Sequence, residues 1–129
     1  MNRSENMRRI RSKNMRPELA VRSLVHRMGY RFRLHRKELP GKPDLVFVSL
    51  RKVIFVHGCF WHSHEECKSA HVPKSNLSYW RPKLMRNRMR DARNIDALRA
   101  AGWKPMVIWE CELKKESVLG SRIRRFLVS

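Results

Sequence analysis

Pro40 to Gly58 reads PGKPDLVFVSLRKVIFVHG, and this stretch decides the fold. It holds two apolar, β-branched runs, Asp44 to Val48 and Val53 to Val56, joined by the short polar link Ser49 to Lys52. Runs of this length and composition bounded by turn residues read as strands, and so short a link makes them neighbours. Upstream of the turn LPGKP (39–43), apolar residues alternate with arginine from Tyr30 to Leu34, the pattern of a half-buried strand. Three consecutive strands predict a meander.

Working outward, Pro17 suits the first turn of a helix that carries Leu24, Val25 and Met28 on one face and stops at Gly29. From Ser78 to Ala101 the pattern is again helical, with Leu84, Ile95 and Leu98 at compatible spacings, Pro82 near the first turn and Gly102 at the end. Met106 to Trp109 then reads as a buried strand, and a strand reached through a crossover helix is most simply laid parallel to its predecessor. Glu116 to Leu127 predicts a closing helix. The expected fold class is a single α/β domain with a mixed central sheet and flanking helices, covering 17–129. Residues 1–16 read as a basic arm or helix that orders on a partner, or as a solvated tail. There is no internal repeat.

Lysine and arginine number 30 against 11 aspartates and glutamates, a formal net charge of +19 over 129 residues. Such self-repulsion calls for a polyanion, and nucleic acid is the expected one. No stretch approaches the roughly 20 apolar residues of a membrane span, and the arginine-rich N-terminus lacks the apolar run of a signal peptide. A cytoplasmic location without membrane partners is therefore expected. Three cysteines in a chain of this kind point to reduced thiols.

The chemistry concentrates in HGCFWHSHEEC, His57 to Cys67. Cys59, His64, Cys67 and the distant Cys111 supply three thiolates and an imidazole, enough for a closed structural zinc site; buried free cysteines are the alternative. His57 and His62 remain, either as hydrogen-bonded surface groups or as catalysts. Asp44, after the Pro-Gly-Lys-Pro turn, is placed to hold magnesium at a strand end or merely to cap the turn. Asn87 and Asp91 share a helix face, and Arg86, Arg88, Arg90 and Arg93 around them form either a phosphate-following shell or an ordinary solvated face.

These stretches together resemble the very-short-patch repair (Vsr-type) mismatch endonucleases, a branch of the PD-(D/E)XK nuclease superfold. The resemblance runs through SENMRRIR (4–11), PEL (17–19), LPGKPDLVF (39–47), VIFVHGCFWHSHEEC (53–67), Tyr79-Trp80, NRMRD (87–91) and GWKPMVIWEC (102–111). It implies a magnesium-dependent endonuclease that nicks one strand of double-stranded DNA beside a T:G mismatch left by deamination of 5-methylcytosine. By resemblance, Asp44 and the main-chain carbonyl of Val56 hold the magnesium, and Glu18 reaches it through water. His62 is the general base, supported by Asp91, and His57 stands at the scissile phosphate. Cys59, His64, Cys67 and Cys111 are the zinc ligands. Phe60, Trp61 and Trp80 form an aromatic wedge beside the mismatch, Met7 approaches from the minor groove, and Asn87, Arg88 and Arg90 contact DNA. Aromatic insertion into a base step is easiest where pairing is already poor, which gives the wedge its selectivity. Val56 stands where well-known members carry threonine, and the His64 to Cys67 interval is one residue longer than theirs. A monomer is expected, with other mismatch-repair proteins and a repair polymerase as candidate partners. The alternatives are a same-fold nuclease for another lesion or for intact duplex, and a non-catalytic zinc-stabilised DNA-binding module.

Overall fold

The computed structural model describes residues 16–34, 36–59 and 77–129. Helix α1 spans Pro17–Arg27. Pro17 occupies its first turn, where a missing N–H removes nothing, and Glu18 places negative charge at the positive end of the helix dipole. A Schellman cap closes it: Gly29, at φ +87°, donates its N–H to His26 (3.0 Å) and Tyr30 donates to Val25 (3.4 Å).

Strand β1 is Arg33–Leu34, β2 is Leu45–Phe47, β3 is Lys52–His57 and β4 is Lys104–Trp109. Helix α2, Leu77–Ala100, bridges β3 and β4; a 3-10 segment, Glu110–Lys115, then leads into α3, Glu116–Val128. The sheet order is β1-β2-β3-β4, with the first two pairings antiparallel and the last parallel. The meander and the parallel return strand are thus as expected.

Two expectations change. The Tyr30 to Leu34 strand shortens to Arg33–Leu34, because the Tyr30 N–H is used by the α1 cap and the Tyr30 and Phe32 rings pack on Phe47, at centroid distances of 6.4 and 6.1 Å. Pro82 lies inside α2, beyond its first turn, where it removes one backbone donor from the helix ladder. The 3-10 segment has no counterpart in the sequence reading. It is fixed by Glu112, whose carboxylate accepts the Trp109 N–H (3.0 Å) and the Arg122 guanidinium (2.6 Å), while Arg122 also donates to the Val107 carbonyl (3.0 Å).

Each face of the sheet has its own core. Val21, Leu24 and Val25 of α1 and Leu119, Ile123 and Leu127 of α3 cover Leu45, Ile54 and Ile108 on one side. Leu98 of α2 and Trp103 cover Val46, Val53 and Phe55 on the other. Strand β3 is therefore buried on both faces, which is why its apolar run is continuous. Edge position explains how β4 accommodates Pro105. No helix among the described residues is long and apolar enough to cross a membrane.

Lys52 opens β3 and is buried, an unusual place for an ammonium. Its Nζ donates to the carbonyls of Phe126 (2.7 Å), Leu127 (3.2 Å) and Ser129 (2.7 Å), capping the negative end of α3. Burial, and then the neighbouring Lys104 ammonium, pushes its pKa below the usual lysine value. Lys52→Met keeps the apolar stem and deletes the donor. It should lower stability by about 1–2 kcal/mol, read as a lower denaturant midpoint at unchanged slope.

Candidate active site

The antiparallel register of β2 and β3 pairs Leu45 with Ile54, which leaves the last residues of β3 projecting past the start of β2. The side chain of Asp44 fills that gap: its Oδ2 accepts the Val56 N–H at 2.7 Å, and its own N–H donates to the Ile54 carbonyl at 3.0 Å. In a strand the N–H and C=O of one residue point to the same edge, so the Val56 carbonyl faces the edge on which the Asp44 carboxylate sits. An acid and a carbonyl brought to one strand end are oxygen donors of the kind that a hard divalent cation takes.

A cavity of about 200 Å³ opens at this end of the sheet, bringing together Asp44, Val56 and His57 from the sheet side, Asp91 and Asn94 from α2, and Lys42 from the turn. His57 is buried, its ring 5.3 Å from that of Trp109 in an edge-to-face arrangement and 5.7 Å from that of Phe55. The residue that pairs with His57 across the parallel ladder is this same Trp109. Four groups scattered through the sequence reading, Asp44, Val56, His57 and Asp91, thus share one cavity. Asn94 was missed, although its position three residues after Asp91 places it on the same helix face and could have revealed it.

Gly41 locks the turn that carries Asp44. A Cβ there would lie 3.0 Å from the Asn94 Cβ and 3.0 Å from Phe55 Cε1, and φ is +77°. Both the close approach and the left-handed backbone require glycine.

Other candidates lie elsewhere. Glu18 is on α1, 3.8 Å from the Arg22 guanidinium, and does not line the cavity. Trp80 is half-buried beside the exposed Tyr79, with ring centroids 5.0 Å apart. Asn87 accepts a 2.8 Å bond from Arg90, and Arg88 and Arg90 are exposed on α2. Cys59 is buried and Cys111 half-buried. Cys59 follows the end of β3 by two residues, and Cys111 lies in the 3-10 segment that follows β4. Among the described residues no three histidines, cysteines or acids gather as a metal group. Met7, Phe60, Trp61, His62, His64 and Cys67 lie outside the described residues, as does most of the basic arm at 1–16. A wider groove, about 1210 Å³, is lined by α1, β1 and β2; the described residues that line it include Arg22, His26, Arg31 and Arg33 and no carboxylate.

A family model described as DNA mismatch endonuclease Vsr matches residues 1–69. A type II nicking enzyme of Xanthomonas oryzae pv. oryzae is 58% identical over 121 residues, covering 94% of this chain and 88% of the relative. The DNA mismatch endonuclease Vsr of Escherichia coli strain K12 is 41% identical over 112 residues, covering 87% of this chain and 71% of the relative. The catalytic domain of the homing endonuclease I-Bth0305I superposes with a TM-score of 0.61 at 18% identity, over 87% of this chain and 93% of that one, a likeness of fold.

Gly41→Ala should lower stability by about 1–3 kcal/mol, because the added methyl meets Asn94 and Phe55 and the backbone cannot relax out of the left-handed region. Equilibrium urea unfolding against wild type measures it.

Proposed function

The chain belongs to the DNA mismatch endonuclease Vsr family, and from that premise we propose that it nicks one DNA strand beside a T:G mismatch, using magnesium at the Asp44 cavity and structural zinc at Cys59 and Cys111. The observation that carries the catalytic part is the convergence of Asp44, Val56, His57 and Asp91 on one small cavity. Asp44 and the Val56 carbonyl suit magnesium by donor type, and Glu18 would reach it through water. Magnesium bound there supplies Lewis acidity toward a phosphate oxygen and lowers the pKa of water.

The chain's own residues account for the rest. His62, five positions after the β3 end at His57 in the sequence, accepts the proton of the attacking water as the oxygen bonds to phosphorus. The phosphorus–oxygen ester bond breaks, and the departing oxygen takes its proton from solvent water. Asp91 holds the imidazolium that results, and His57, clamped between aromatic rings, donates to the phosphate. Duplex affinity comes from arginines such as Arg88 and Arg90, and discrimination from Phe60, Trp61 and Trp80, with Met7 and Asn87 as further contacts. For zinc, the supporting observation is that Cys59 and Cys111 each follow, by two residues, the C-terminal end of one of two adjacent parallel strands, with His64 and Cys67 completing the set.

A second reading has its own support. Several relatives, including the one at 58% identity, are named type II nicking enzymes, so nicking at another lesion or at intact sequence is the rival specificity.

A panel of T:G, other mismatched and fully paired duplexes, each with and without magnesium, tests the reading. The expected result is magnesium-dependent nicking confined to T:G, abolished in Asp44→Ala with duplex affinity nearly intact. Equal nicking of paired and T:G duplexes would select the rival specificity, and an active Asp44→Ala would remove the proposed role of that carboxylate. Separately, Cys111→Ser should reduce bound zinc and the melting temperature together, as measured by metal analysis and calorimetry. Wild-type protein without zinc that melts like the variant would exclude the zinc site.

A further inference from the structure

The cavity at the β3 end poses an electrostatic problem. Two of its walls carry carboxylates, Asp44 and Asp91, yet its proposed occupant is an anionic phosphodiester. Asp44, Asp91 and the phosphodiester bring three negative charges, one more than the proposed magnesium would balance, so the site calls for a further cation. Among the described residues that line the cavity, Lys42 alone carries permanent positive charge.

The backbone at Lys42 adds an independent observation. Its φ is +49°, in the left-handed region that non-glycine residues seldom occupy, and it lies between Gly41 at +77° and Pro43. Proline further restricts the residue before it. Glycine would adopt this conformation without strain, so a lysine here indicates that its side chain is used. The root of that side chain is held firmly. Gly41 abuts Asn94 and Phe55, Pro43 is fully buried, and the Lys42 N–H donates to the Leu39 carbonyl at 3.1 Å.

We propose that Lys42 is a catalytic residue whose ammonium contacts a non-bridging oxygen of the scissile phosphate. The assignment rests on the endonuclease reading and extends it to a group outside the sequence-derived site. As water's oxygen bonds to phosphorus and the ester bond opens, negative charge accumulates on the non-bridging oxygens. Lys42 balances that charge and keeps all its protons throughout. Its contribution is greatest at the point of highest charge, so it acts on rate more than on affinity.

The test compares wild type, Lys42→Met and Lys42→Arg on whichever duplex the wild type nicks fastest. Single-turnover nicking is measured with magnesium, and affinity without it at one fixed salt concentration. Lys42→Met should nick about 100-fold more slowly. Its affinity should change no more than about twofold, since one of many phosphate contacts is lost. Lys42→Arg should recover most of the rate. Lys42 is exposed, so both variants should melt with the wild type; should Lys42→Met melt lower, Lys42→Gln takes its place in the comparison. An unchanged rate, a loss of affinity equal to the loss of rate, or an arginine variant as slow as the methionine one overturns the assignment. A wild type that nicks no duplex removes the endonuclease reading and this assignment together, whereas brisk nicking by wild type and Lys42→Met alike removes the assignment alone.

Discussion

Parallel pairing of β3 with β4 is the constraint from which the site follows. Six residue pairs hold the two strands in register from Lys52 and Lys104 to His57 and Trp109. Two parallel neighbours cannot be joined by a hairpin, so the chain must leave the sheet and return over one face, and α2 makes that return. Asp91 and Asn94 are brought over the ends of the strands because they ride on the connecting helix. His57 meets Trp109 for the same reason, and Cys59 and Cys111 follow the ends of these two paired strands. A slip of one residue would turn every side chain of β4 to the opposite face and disperse the set.

A chain with a net charge of +19 has to be held together by something other than charge. Partly exposed pairs such as Arg22 with Glu18, 3.8 Å apart, contribute about 0–1 kcal/mol each. Fully burying one large aliphatic or aromatic side chain is worth about 1.5–3 kcal/mol, and Leu45, Phe47, Ile54, Leu98, Ile108, Leu119 and Ile123 are all buried in this way. Apolar burial on both sheet faces therefore decides stability, and the basic residues are left for the surface. Lys52 is the exception, and it is satisfied by backbone oxygens at the end of α3.

Much of the fold was legible because periodicity reports burial. The run Val53 to Val56 and the helical spacing of Leu84, Ile95 and Leu98 each report the surface that they bury. Boundaries were less legible where a local group competes for the backbone. Tyr30 gives its N–H to the α1 cap and so leaves the strand pattern, and Glu112 winds a 3-10 segment by taking the Trp109 N–H. In the site, Asp44, His57 and Asp91 stood out as chemical residue types, and family motifs marked all three. Lys42, Gly41 and Asn94 did not, since a lysine in a turn looks solvated and the closeness of Gly41 to Asn94 exists only after α2 has crossed the sheet.

The bond between Asp44 and Val56 spans twelve residues of chain, whereas Asp91 arrives from a helix on the far side of a long connection. Closing the shorter loop carries the smaller entropy loss, and the hairpin's own ladder supports it. The two halves of the cavity therefore have different resistance to fluctuation. An opening that lifts α2 from the sheet takes away Asp91 and Asn94 while the hairpin keeps its carboxylate and its carbonyl edge together. Hydrogen exchange should register this as a protected β2–β3 ladder beneath a helix whose amides exchange through smaller, partial openings.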